Sequence, residues 1–299
     1  MISFRRFRKC FGSHQAVVDL TLEVCRGEVL ALLGPNGSGK TTTLKAAAGL
    51  IRPTSGTVEI GSPPLSAWLP ASREALSFLP QRVSFPEALT GREVVEFYRA
   101  LRNAPIQRAD DVLRIASLNG AASRSVSTYS GGMVQRLGLA VAALPDAPIF
   151  LLDEPTAALD PAGLEAFYSL VERYAREGRT VMFTSHQLGD VERLAHRFAI
   201  LVDGRLAALL TQGELRDRLS ARGLMRVRLQ ACPDALLAAV REVSGAAEWR
   251  DGALSVPGPA SLRPAVIEVI RGHGGEMLDL TSENGRLDAW YRELTGAGS

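Results

Sequence analysis

The stretch LLGPNGSGKTTTLK, Leu32–Lys45, places glycines at 34, 37 and 39 between the apolar run EVLALL and the segment KTTTLKAAAGLI. The apolar run reads as a buried strand, and the segment after it as a helix that stops before Pro53. Glycines at a strand-to-helix turn let the backbone curl until its N–H groups converge. The helix N-terminus adds a partial positive charge, so the turn can cradle phosphate oxygens. Gly34, four residues, then Gly39, Lys40 and Thr41 has the spacing of such a loop. In it the lysine reaches the β- and γ-phosphates and the hydroxyl ligates Mg²⁺. A merely flexible glycine-rich turn is the plain alternative, and the position between strand and helix weighs against it.

Bulk properties limit the rest. A chain of 299 residues exceeds one average domain, and 46% hydrophobic residues can fill real cores. The 34 basic and 32 acidic residues nearly cancel to a net charge of +2, so partners must be argued from sites rather than from charge. Cys10, Cys25 and Cys232 are widely spaced and form no CxxC pair, which fits unpaired thiols in a reducing compartment. The basic start MISFRRFRKCFG leads into no apolar core, so it reads as neither signal peptide nor anchor. The longest apolar stretch, LGLAVAALPDAPIFLL, is cut by Pro145 and Asp146, short of a spanning helix.

Along the chain, AVVDLTLEV, EVLALL, SGTVEI and ALSFLPQ read as strands in a β-rich opening. Thr90 and Glu93 form a capping box for REVVEFYRALRN, and a second helix near Ala109–Leu118 is expected to stop at Asn119 and Gly120. These elements form a helical insertion over about residues 85–144. PIFLLDEP then reads as a strand buried on both faces with Asp153 and Glu154 at its C-terminal end. PAGLEAFYSLVERYAREG is an amphipathic helix, RTVMFTSH a strand ending at His186, and FAILVDGRLAALL a hairpin turning at Asp203 and Gly204. The repeated strand-helix-strand order gives an α/β fold with a mostly parallel sheet and ligands at the carboxyl ends of its strands. From about residue 224 the pattern restarts as a small α+β unit over 224–299, with 1–219 as the larger domain.

Two further motifs bear on chemistry. An acid ending a buried strand holds Mg²⁺ in phosphate-loop enzymes, so Asp153 is the metal candidate and Glu154, one residue on, faces the attacking water. TYSGGMVQR, Thr128–Arg136, sets Ser130 as N-cap of a helix beginning Gly131 and Gly132. Alone, it would be an ordinary capped helix.

In this order, the phosphate loop, Ser-Gly-Gly, Asp-Glu pair and strand-terminal histidine resemble one family, the ATP-binding subunits of ATP-binding cassette transporters, over about residues 2–218. The resemblance implies a P-loop NTPase fold with an antiparallel β subdomain and a helical insertion. It also implies ATP and Mg²⁺ as ligands. Gly34, Pro35, Asn36, Gly37, Ser38, Gly39, Lys40, Thr41 and Thr42 look like the Walker A loop. Asp153 with Glu154 looks like the Walker B pair, metal ligand and catalytic carboxylate. Ser130, Gly131 and Gly132 match the signature that contacts the ATP held by the opposite subunit, although Tyr129 and Met133 replace the usual leucine and glutamine. Gln81 falls at the Q-loop, near nucleotide and metal. ALD, with Asp160, resembles the D-loop at the dimer seam, His186 the switch histidine and Phe11 the aromatic that stacks on adenine.

The resemblance further implies a head-to-tail homodimer driving separate transmembrane subunits from the cytoplasmic face of the membrane. A soluble relative acting on nucleic acid or ribosomes is the main competitor. It usually carries coiled coils, zinc modules or two cassettes, and this chain shows none of these and no basic stripe. FLPQRVSFPEALTGREVVEFYRAL is similar to the ATPase that supports copper-site maturation of nitrous oxide reductase with a membrane subunit and a periplasmic protein. Drug and polysaccharide exporters share much of that stretch and are the alternative to this copper-maturation reading; no residues here cluster as a copper site, so metal handling would lie with partners.

Overall fold

The computed structural model describes residues 1–185, 192–221 and 223–283. The chain divides into two compact units, Met1–Leu210 and Thr211–Ser299. This boundary lies ahead of the one expected at 219–224, and it places the helix Gln212–Ser220 with the second unit.

The first unit is built on a ten-stranded sheet with β1 (Ile2–Phe11), β2 (His14–Val24), β3 (Val29–Leu33), β4 (Ser55–Ile60), β5 (Leu65–Ser66), β6 (Leu76–Leu79), β7 (Ile149–Leu152), β8 (Thr180–Thr184), β9 (Arg197–Val202) and β10 (Arg205–Thr211), in the order β5-β4-β1-β2-β10-β9-β3-β8-β7-β6. The strands β9, β3, β8, β7 and β6 pair in parallel, whereas β2, β1, β4 and β5 pair antiparallel. This is the mixed architecture read from the sequence.

Every residue of β3, β7 and β8 is buried. Such strands need cover on both faces, which explains their unbroken apolar runs. On one face α1 (Lys40–Ala47) seats Leu44, Ala46 and Ala47 against Leu30, Leu32, Leu151 and Met182. On the other, α6 (Pro161–Arg176) contributes Phe167, at 6.3 Å from the Phe183 ring, and Tyr174, stacked on Phe150 at 4.0 Å. Burying each such side chain is worth about 1.5–3 kcal/mol, which holds both helices onto the parallel strands.

A short helix α2 (Pro70–Glu74) precedes β6, and the insertion between β6 and β7 carries α3 (Gly91–Leu101), α4 (Arg108–Ile115) and α5 (Gly131–Ala142). The Thr90–Glu93 capping box forms in both directions. The expected stop at Asn119 and Gly120 is displaced. Helix α4 ends earlier, because Ser117 takes the left-handed conformation (φ 54) and the Leu118 N–H returns to the Leu113 carbonyl. Asn119–Ala121 form a 3₁₀ turn instead.

After the helix Gln212–Ser220, the second unit orders its elements β-α-β-β-α-β. Strands β11 (Leu224–Leu229), β12 (Glu248–Arg250), β13 (Ala253–Pro257) and β14 (Met277–Glu283) make an antiparallel sheet in the order β12-β13-β11-β14. Helices Asp234–Ser244 and Arg263–Gly272 place Leu236, Val240, Val266 and Ile270 against Met225, Val227, Leu229, Leu254 and Val256. Among the described residues no helix is long and apolar enough to cross a membrane.

Candidate nucleotide site

Between β3 and α1 the chain turns on glycines whose conformations no other residue takes without strain. Gly34 sits at φ 147, where an added Cβ would lie 2.1 Å from the Leu201 carbonyl oxygen. Gly39, the N-cap of α1, sits at φ 97, where a Cβ would lie 2.5 Å from the Ala16 carbonyl oxygen. No side chain caps this helix, which leaves its first N–H groups for an anion. Ser38 Oγ is buried without a partner, as expected of a loop shaped around something else.

Lys40 is only 6% exposed, and its Nζ donates to the carbonyls of Gly34 (2.8 Å) and Pro35 (3.0 Å). Burial holds its pKa below the ordinary lysine value, against the opposing pull of Glu154 and Asp153. Asp153 directly follows β7 and has no exposed surface. Its Oδ1 accepts hydrogen bonds from Thr184 Oγ1 (2.8 Å) and Thr41 Oγ1 (3.1 Å). Burial raises the Asp153 pKa; the two hydroxyls oppose that shift and Glu154 adds to it.

Asp153 Oδ2 is buried with no hydrogen-bond partner. A carboxylate oxygen left in this state beside a threonine hydroxyl is a fitting hard-cation donor set, so the residues present suit Mg²⁺.

Glu154 follows in the left-handed conformation (φ 45), a strained geometry for a side-chain-bearing residue. Its N–H donates to Thr184 Oγ1 at 2.7 Å, and its Oε2 accepts from Gln81 Nε2 at 2.8 Å. Thr184 therefore ties both acids to β8. No motif singles it out in the sequence, since β8 carries a threonine at each end, Thr180 and Thr184. Gln81 lies two residues beyond the end of β6 rather than at the strand end.

These side chains surround a cleft of about 400 Å³ lined by Phe11, His14, Asn36, Gly37, Lys40, Thr41, Thr42, Gln81 and Glu154 among others. Phe11 is half exposed there, with Lys9 Nζ 4.8 Å from its ring centre. His14 had not been singled out; it enters because the β1–β2 hairpin pairs it with Phe11.

The Ser-Gly-Gly lies elsewhere. Ser130 caps α5, its Oγ accepting from Met133 N–H at 3.2 Å, so the methionine replacing glutamine still serves the cap through its backbone. Nothing stands within 4 Å of where a Gly131 Cβ would be, whereas one on Gly132 would meet the Ala158 carbonyl oxygen at 3.1 Å. Asp160 caps α6 through Gly163 N–H (2.9 Å) and receives Arg136 of α5 at 3.4 Å. Tyr129, in place of leucine, donates its hydroxyl to the Ala121 carbonyl at 2.8 Å. That hydroxyl occupies the space a Cβ on Gly91 would need. His186 and the end of the tail, LDAWYRELTG, lie outside the described residues.

Residues 17–157 match the family model described as ABC transporter. The chain is 32% identical to the daunorubicin/doxorubicin resistance ATP-binding protein DrrA of Streptomyces peucetius, over 96% of this chain and 90% of that protein. It belongs to the ABC transporter ATP-binding family. A Nod factor export ATP-binding protein I of Cupriavidus metallidurans is 33% identical over 73% of this chain and 73% of that protein. Among solved structures, a dimeric ATP-binding cassette in a post-hydrolysis state bound to ADP and Pi superposes with a TM-score of 0.65 at 27% identity, covering 71% of this chain and 99% of that one. The ABC protein described here is thus an ATP hydrolase.

Proposed function

We propose that this ABC ATPase powers an exporter, with two copies meeting head to tail and driving separate transmembrane subunits from the cytoplasmic side. One observation carries the dimer. The cleft containing Lys40, Thr41, Gln81 and Glu154 includes none of Ser130, Gly131 and Gly132, while Ser130 is exposed and Gly131 has open space above it. A second copy would supply that missing wall.

In this reading Glu154 accepts the proton of the attacking water, Gln81 and Thr184 hold it in place, and Phe11 stacks on the adenine. Lys40 exchanges its loop carbonyls for phosphate oxygens. Thr41 and Asp153, with Gln81 nearby, would hold Mg²⁺, which when bound neutralises charge on the transferring group. Phosphoryl transfer needs positioning more than covalent chemistry, so completing the wall is what starts turnover.

The exporter reading is supported by relatives named for drug resistance and Nod factor export. A role in copper-site maturation, with its periplasmic accessory protein, rests on the likeness of residues 78–101 alone. Among the described residues no three His, Cys, Asp or Glu side chains gather as a metal group. The test is Glu154→Gln in the purified chain: turnover is lost and an ATP-bound dimer accumulates. A variant that hydrolyses normally and stays monomeric with ATP would remove the assignment.

A further inference from the structure

Strand β1 slips register against β2 between Phe4 and Phe7, and against β4 between Arg5 and Arg8. The slip lets two phenylalanines three residues apart both enter the core, at 1% and 0% exposed. The extra residue, Arg6, takes φ 49. Gly56 on β4 makes room for it, since a Cβ there would lie 2.1 Å from the Arg6 carbonyl oxygen. The bulge turns Arg5 and Arg6 outward together, and with Arg8 they line a second cleft of about 550 Å³.

The charges in this cleft are largely unanswered. Arg8 Nε is buried without a hydrogen-bond partner. Among the described residues no ion pair reaches Arg6 or Arg8, and Arg5 meets Glu59 only at 3.9 Å. Asp19 is the one acid lining the cleft, against three guanidinium groups, and Ser55 and Thr57 add hydroxyls. An orphaned guanidinium N–H costs free energy that an anion would recover, and the guanidinium fork matches phosphate geometry.

We propose that this cleft is a second anion site, separate from the phosphate loop, that takes a ligand bearing a phosphate or pyrophosphate group. The surplus of positive charge over Asp19 supplies the attraction. The hydroxyls of Ser55 and Thr57 donate to oxygens the arginines leave uncovered.

The test is calorimetric titration of inorganic pyrophosphate into the full chain with its phosphate loop filled by ADP and Mg²⁺. One further equivalent should bind, more weakly as salt rises. Arg6→Asn with Arg8→Gln should weaken it about tenfold or more. Asparagine tolerates the left-handed conformation, so the bulge is kept. The variant should retain wild-type circular dichroism and ATP turnover; if it does not fold, the exposed Arg6→Asn alone serves. Absence of a further equivalent, or equal binding by the variant, overturns the site. Co-sedimentation with phosphatidylglycerol vesicles that pyrophosphate reverses would place the phosphate on a lipid headgroup. Pyrophosphate binding without vesicle binding would place it on a soluble ligand.

Discussion

Alanine at Gly91 would set a Cβ 2.2 Å from the Tyr129 hydroxyl and 3.1 Å from the adjoining ring carbon, so the tyrosine must move. Moving it breaks the 2.8 Å bond to the Ala121 carbonyl. Overpacking of this kind costs about 1–3 kcal/mol, and a lost hydrogen bond about 0.5–1.5 kcal/mol. Alanine's better helix propensity at the first turn of α3 returns up to ~1 kcal/mol. The net is a loss of about 2 kcal/mol, which for a unit of this size lowers Tm by roughly 4–8 °C. Tyr129→Phe removes the clashing oxygen, so in that background Gly91→Ala should cost under ~1 kcal/mol, a coupling that a double-mutant cycle by thermal or urea unfolding measures. Equal costs of Gly91→Ala in the two backgrounds would refute the claim that tyrosine at 129 depends on glycine at 91.

Thr184→Val removes the hydroxyl that joins Asp153 to the Glu154 N–H; steady-state ATPase assays should show turnover down by about 10–100-fold with ATP affinity little changed. Asp153→Asn should raise Tm in the absence of nucleotide. Burial lifts the carboxyl pKa in the folded chain, so the charged form opposes folding increasingly as pH rises through the ordinary carboxylate range. The variant's advantage should accordingly be present at neutral pH, vanish in acid, and reverse when Mg²⁺ and ATP are added. Phe11→Ala should weaken ATP binding by about tenfold, the value of one base–aromatic stack, with kcat preserved at saturating ATP.

The parts of the site legible in sequence are those where backbone conformation dictates residue type. Gly34 and Gly39 announce their left-handed turns, and an acid after four buried residues announces the end of β7. Asp160 stands out in sequence only through its place in ALD, and its pairing with Arg136 is not legible there, because nothing local links positions 24 apart. Thr184 and His14 are illegible for a similar reason: one is a threonine at the end of a strand that also begins with one, the other acts only through its hairpin partner. The β1 bulge breaks period-two alternation, so the three arginines read as a basic start rather than as one wall of a cleft. Strand β12 is three residues long, too short for any periodicity to mark.

The most direct test is ATP turnover per chain across a dilution series, with sedimentation reporting the association state at each concentration. The specific rate should fall as dimers dissociate, and Ser130→Phe should be inactive throughout. A constant rate in verified monomers, unaffected by Ser130→Phe, would contradict a nucleotide pocket completed by a second copy.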